Sequence, residues 1–187
     1  MPRARVLFLD HVGALGGAEL ALVDVAAAYR ETSTVALLAD GPLRERLTRE
    51  GVRVEIVEGS AALQRVRRET RWPGMSAISG AWSVARRVRS LAREHDCIHA
   101  NSQKAFAIGC LAGAMARRPV IWDLNDLLVP EHFSRTNIRV DVALTNRMAA
   151  RVIANSHASA DALVARGGRR RRSASFIRAF APNRSMA

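Results

Sequence analysis

Short apolar runs alternate with helix-like segments along most of this chain, and that alternation restricts its fold more than any single motif. Val6–Leu9 reads as a buried strand, and Ala18–Tyr29 as a helix with Leu20, Val23 and Ala27 on one face. Thr34–Ala39 is a second strand, Pro42–Glu50 a short charged helix ended by Gly51, and Val52–Val57 a third strand. The stretch 59–75 is polar and basic, with Trp72-Pro73-Gly74 as a break, and reads as a partly helical, mobile connection. Ser76–Glu94 then carries Ile78, Trp82, Ala85, Val88 and Leu91 at helical spacing, with Arg86, Arg87, Arg89 and Arg93 facing out. Strand and helix alternate again: Asp96–Ala100, Ser102–Ala116, Pro119–Asp123, a helix near Arg139–Met148, Arg151–Ala154, and a helix from Ser156 stopped by Gly167-Gly168. Two βαβαβ halves predict an α/β fold, a doubly wound, mainly parallel sheet of about six strands of Rossmann-like type.

Charge is the one unusual aspect of the composition. The 187 residues carry 29 Lys+Arg against 17 Asp+Glu, a net charge of +12 that invites a nucleic-acid reading. Its distribution argues otherwise. Seven arginines and no acid fall between Arg166 and Ala187, leaving only +5 for the preceding 165 residues. Lys104 is the sole lysine. A folded body at 1–168 and a basic, poorly packed tail at 169–187 are expected. Cys97 and Cys110 are far apart in sequence with no Cys/His cluster, so neither a metal site nor a disulfide framework is expected. The N-terminal apolar run of four residues is too short for a signal-peptide core, and no run is long enough to span a bilayer. The chain reads as a cytoplasmic protein that needs no cofactor.

Ligands of open parallel sheets bind beyond the carboxyl ends of the strands. Polar residues gather there. Asp10, His11, Gly13, Gly16, Gly17 and Glu19 follow the first strand; His99, Asn101, Ser102 and Lys104 the fourth; Asp123, Asn125 and Asp126 the fifth; Asn155 and Ser156 the sixth. Gly16-Gly17 before a helix lets backbone N–H groups approach an anion at the positive helix end, or simply makes a tight turn. Its spacing is not the Gly-x-Gly-x-x-Gly of dinucleotide binders, and Asp40 is the nearest candidate for a ribose ligand, which disfavours a nicotinamide-dependent reductase. His99 reads equally as a core or a functional histidine. Asn101-Ser102 and Asn155-Ser156 fit helix N-caps that also face the crevice. Ser156 lacks the glycines of a nucleophile elbow.

Four of these segments together carry a resemblance. Gly16-Gly17-Ala18-Glu19 resembles the Gly-Gly-x-Glu loop of family 4 glycosyltransferases, and His99-Ala-Asn-Ser-Gln-Lys-Ala their segment after the fourth strand. Pro119-Val-Ile-Trp-Asp-Leu-Asn-Asp-Leu is similar to their Pro-Val-x-x-x-x-His-Asp-Leu stretch, and Val152–Leu163 to the strand-Asn-Ser-helix closing their N-terminal domain. The resemblance implies one half of a GT-B glycosyltransferase, binding acceptor in retaining sugar transfer from a nucleotide-sugar. By the same resemblance Gly16, Gly17 and Glu19 would face donor phosphate or sugar. His11, Asn101, Ser102, Lys104, Asn155 and Ser156 would bind acceptor or sugar hydroxyls, with Asn125, Asp126 and His99 as catalytic candidates. Asn125 stands where the family usually has histidine, which removes a group able to titrate near pH 7.

The family's donor-binding domain would lie beyond residue 187, so turnover by this chain alone is not expected. Pro182-Asn183 echoes the start of that domain, with Arg184 in place of glycine. The alternative is a non-catalytic binding module whose Arg169, Arg170, Arg171 and Arg172 contact an anionic membrane or nucleic acid, the former being the better fit.

Overall fold

A computed structural model describes residues 4–57, 75–169 and 173–175. Its elements are β1 (Val6–Asp10), α1 (Gly17–Ala28), β2 (Ser33–Leu37), α2 (Pro42–Arg49), β3 (Arg53–Ile56), α3 (Met75–Ala92), β4 (Cys97–Ala100), α4 (Gln103–Ala116), β5 (Val120–Leu124), α5 (Arg135–Met148), β6 (Ala149–Ala154), α6 (His157–Ala165) and β7 (Ser173–Ser175). The strands form one sheet in the order β3-β2-β1-β4-β5-β6-β7, and every adjacent pair is parallel. This is the doubly wound Rossmann-like architecture, with one strand more than the six expected. The seventh, β7, lies past Gly168, so the sheet continues into the stretch read as a tail. The connection read at 59–75 falls, apart from Met75, outside the described residues, as do Arg170–Arg172 and everything after Ser175.

Central strands buried on both faces need apolar residues throughout, and β1 and β2 are buried at every position. One face packs Val6, Phe8, Val35 and Leu37 against Leu22, Val23 and Ala26 of α1 and Leu43 and Leu47 of α2. The other packs Leu7, Leu9, Ile98, Val120 and Trp122 against α3 and α4. Trp122 stacks on Phe106 of α4 with ring centroids 4.5 Å apart, an offset-stacking distance favourable for aromatic pairs.

Two expected faces shift. Leu20 is exposed, because α1 is apolar around most of its circumference and only the Leu22, Val23 and Ala26 side meets the sheet. Trp82 is 50% exposed, because Val84, Ala85, Val88 and Ala92 supply the buried side of α3. Helix ends follow local chemistry. Pro42 opens α2, the Ser134 hydroxyl accepts from the Asn137 N–H (3.1 Å) to cap α5, and Gly51 at φ 74° ends the α2 turn.

One buried group is out of keeping with its surroundings. Asp141 of α5 is 6% exposed, and its Oδ2, like Thr145 Oγ1 one turn on, has no hydrogen-bond partner among the described residues. Burial pushes the Asp141 carboxyl up to about 7. Its folded-state affinity for a proton thus exceeds that of the unfolded chain, so this group's contribution to stability falls as pH rises from about 4 to about 7. Asp141→Asn should stabilise the protein at pH 8 by about 1–3 kcal/mol and have little effect near pH 4, measured by urea unfolding at both pH values.

Candidate functional site

The strand order reverses at the β1/β4 pair, and the carboxyl ends of β1, β4, β5 and β6 meet there in a hydrogen-bonded row. Asp10 ends β1 fully buried. Its carboxylate accepts from the His11 backbone N–H (2.6 Å), from Asn101 Nδ2 (2.7 Å) and from Ser102 Oγ (3.2 Å). Asn125 Nδ2, after β5, donates to the Asn101 backbone carbonyl at 3.1 Å. Asn155 Nδ2, after β6, donates in turn to the Asn125 carbonyl at 2.9 Å, and Asn155 Oδ1 accepts from Ser159 Oγ at 3.0 Å. Asp10, Asn101, Asn125 and Asn155 thus tie four strand ends together through short polar side chains. The sequence places Asp10 at this strand end but assigns it no role; its signal is a carboxylate that closes an apolar strand just before a glycine-rich loop.

The β1–α1 loop owes its path to backbone packing. A Cβ on Gly13 would fall 2.3 Å from the Asp40 carbonyl oxygen, and one on Gly41 would fall 2.5 Å from the Gly13 oxygen. Only two glycines allow this approach of the β1–α1 and β2–α2 loops. Asp40 is engaged locally, accepting from the Gly41 N–H (2.8 Å) and pairing with Arg44 (2.8 Å), so it turns away from any ribose role.

A cleft of about 540 Å³ opens over this row, lined by Gly17, Ala18, Glu19, Ala21, Asn125, Asp126 and Asn155. Gly16 occupies the N-cap of α1 without a side-chain cap. Glu19 bends back over that end, where its carboxylate accepts from its own N–H and that of Gly16. Burial pushes the Glu19 carboxyl above the usual carboxylate range despite those bonds, and the nearby Asp10 charge adds to the rise. A Cβ on Gly17 would meet nothing within 4 Å, so the protein's own packing does not demand glycine there.

The remaining candidates divide. His11 Nδ1 lies 2.7 Å from Ser102 Oγ, which places both beside Asp10. Ser102 occupies the N-cap position of α4 but makes no capping bond, its hydroxyl being committed to Asp10 and His11. Ser156 does cap α6, accepting from the Ser159 N–H at 3.1 Å. Lys104 is exposed on the first turn of α4, outside the cleft lining. His99 lies within the sheet, its ring 5.2 Å from that of Phe8 and Nε2 3.6 Å from Asp123 Oδ2, and it does not line the cleft. Among the described residues no cluster of three or more His, Cys, Asp or Glu stands ready for a metal ion.

A doubly wound domain of this class takes its ligands in the crevice beyond the strand ends, at a switch point such as the β1/β4 pair. The chain belongs to the glycosyl transferase 4-like domain family, whose model matches residues 16–174. Its structure is similar to that of Anabaena Alr3699/HepE in complex with UDP and glucose, with 39% identity and a TM-score of 0.80 over 92% of this chain and 44% of that one. The HepE complex with UDP-glucose matches likewise, at 40% identity and a TM-score of 0.79 over 92% and 43% of the two chains. The lipopolysaccharide outer core galactosyltransferase WaaB in its apo form shares the fold at 10% identity, TM-score 0.64, over 90% of this chain and 44% of that one. No curated protein matches the chain. The chain therefore spans less than half the length of these structures and corresponds to one N-terminal GT-B domain.

Loss of the Asp10 carboxylate would remove the buried acceptor shared by the His11 N–H, Asn101 Nδ2 and Ser102 Oγ. Asp10→Ala should lower stability by roughly 2–3 kcal/mol in urea unfolding. A change below about 0.5 kcal/mol would show that water replaces the carboxylate without penalty.

Proposed function

We propose that this domain forms the acceptor-side wall of a retaining glycosyltransferase that uses a nucleotide-sugar, with the nucleotide held chiefly by a second, donor-binding body across the cleft. The observation that carries this reading is the convergence of Gly17, Glu19, Asn125, Asp126 and Asn155 on one crevice. The HepE structures supply the ligand chemistry: at 39–40% identity, they hold UDP, glucose or UDP-glucose.

In this reading each group has a stated task. Gly17 lets the donor approach the α1 backbone, where helix-end N–H groups favour negative charge. Glu19 already occupies part of that helix end, so its carboxylate is placed to accept from a sugar hydroxyl while a phosphate would use the remaining amide N–H groups. The side-chain N–H groups of Asn125 and Asn155 are engaged within the row, leaving Asn125 Oδ1 and the Asp126 carboxylate as acceptors for sugar hydroxyls. Amides held by neighbours on rigid strand ends need little reordering when a sugar binds. Asn125 takes no proton near pH 7, so it orients substrate and does not act as an acid or base. His11, Ser102 and Asp10 support the loop from below, and His99 braces the sheet. Charge on the departing nucleotide diphosphate would be offset chiefly by cations of the second body.

The 187-residue chain incubated with UDP-glucose and a panel of glycoside acceptors should release no UDP above the uncatalysed background. Steady release with glycoside formation would overturn the half-site reading. Gly17→Ala should leave the melting temperature within about 2 °C of wild type, since its Cβ meets open space, yet weaken UDP-glucose binding about fivefold or more in saturation-transfer NMR. Equal binding by this variant would remove the loop from the ligand site.

A further inference from the structure

His11 follows Asp10 at the end of β1, and its ring is engaged on one side only. Nδ1 lies 2.7 Å from Ser102 Oγ and 3.5 Å from Asp10 Oδ1. Nε2 has no partner among the described residues, and the side chain is 25% exposed. His95 shows the contrast. It is buried, with Nδ1 on the Leu91 carbonyl (2.8 Å) and Nε2 on Thr34 Oγ1 (3.1 Å), so both of its nitrogens serve the fold. The His11 ring also stands beside the crevice wall, close enough to Glu19 to act electrostatically on its carboxyl.

The hydrogen positions follow from the partners. The buried Asp10 carboxylate only accepts, so the Ser102 hydroxyl donates its one proton to Asp10 Oδ1 (3.2 Å). The Ser102 oxygen then turns a lone pair toward His11 Nδ1, and their 2.7 Å contact needs a proton on the nitrogen. Asp10 Oδ1, the other oxygen near Nδ1, favours the same proton. The opposite tautomer would swing the Ser102 proton to Nδ1 and leave two oxygens facing each other at a buried charge. A neutral imidazole with Nδ1–H carries a bare lone pair on Nε2.

We propose that Asp10 and Ser102 act through His11, locking its ring as the Nδ1–H tautomer so that Nε2 accepts a hydrogen bond from a hydroxyl of the bound sugar. This rests on the reading of the crevice as a sugar site, and it gives that crevice two unlike poles. The α1 end offers N–H groups, which suit phosphate oxygens; Nε2 offers a lone pair, which suits a hydroxyl and repels phosphate. A nucleotide-sugar then has one favoured orientation, with its hexose toward His11 and its diphosphate toward Gly16-Gly17. Ser102 is a positioning residue in this scheme, which accounts for an N-cap serine that leaves its own helix uncapped. The carboxylate behind it polarises the hydrogen-bonded chain and strengthens Nε2 as an acceptor.

Two-bond proton–nitrogen spectra of the imidazole rings in the isotope-labelled chain at pH 8, with His11 assigned by its loss in H11F, test this. The free wild-type protein should show His11 Nε2 at the shift of an unprotonated nitrogen and Nδ1 at that of a protonated one. S102A should bring the two shifts together as tautomers mix, and S102T, which keeps the hydroxyl, should hold them apart. UDP-glucose should move Nε2, whereas UDP at the same concentration should not. H11F should weaken UDP-glucose binding about fivefold or more. An Nε2–H ring in the free chain, or an S102A ring as strongly Nδ1–H as wild type, overturns the lock. UDP-glucose shifting the Gly17 and Asn155 amides with Nε2 unmoved overturns the hydroxyl contact and leaves the crevice as a sugar site. Unmoved amides sink the sugar site and the hydroxyl contact together, while the free-chain spectra still decide the lock.

Discussion

The buried Asp10 carboxylate is the interaction on which the site's geometry depends. It sits where the strand order reverses, and two adjoining parallel strands there send their chains to opposite sides of the sheet. The gap this opens has to be closed by polar groups, because backbone N–H groups leaving the strand ends cannot stay unpaired. Asp10 closes it with three acceptor contacts, and Asn101, Asn125 and Asn155 carry the connection outward one strand at a time. The crevice above is shaped by side chains whose orientation is fixed before any ligand arrives.

The same constraint explains the division of labour among the glycines. Gly13 and Gly41 are demanded by the protein itself, since two carbonyls sit where their Cβ atoms would be. Gly17 is not demanded by any contact within the protein, and it is the one that lines the cleft. A glycine without a packing reason, at the start of a helix and on the wall of a polar cleft, fits close approach by a ligand.

Much of this was legible in the sequence because a doubly wound sheet writes itself plainly: apolar runs for buried strands, glycine and polar residues at their ends. The gathering of Glu19, Asn125, Asp126 and Asn155 followed from topology alone. Leu20 and Trp82 were misread because α1 has apolar residues on several faces and α3 has two overlapping apolar stripes, so spacing did not choose between them. Ser102 looked like a helix cap, and only the three-dimensional placement of Asp10 shows why its hydroxyl turns away from its own helix. His99 had two sequence readings, and its contacts with Phe8 and Asp123 place it in the sheet beneath the cleft. The extra strand β7 was hidden because Ser173-Ala174-Ser175 has neither the length nor the apolar character of the others; it exists by pairing with β6.

The central claim is that the crevice at the strand ends of this glycosyl transferase 4-like domain receives the sugar. Amide chemical-shift mapping of the isotope-labelled chain during titration with UDP-glucose tests it most directly. The account predicts the largest shifts at Gly16, Gly17, Glu19, Asn125 and Asn155, with weak, saturable affinity. Saturation with those amides unmoved, or with the shifts concentrated on α2 or α5, would contradict it.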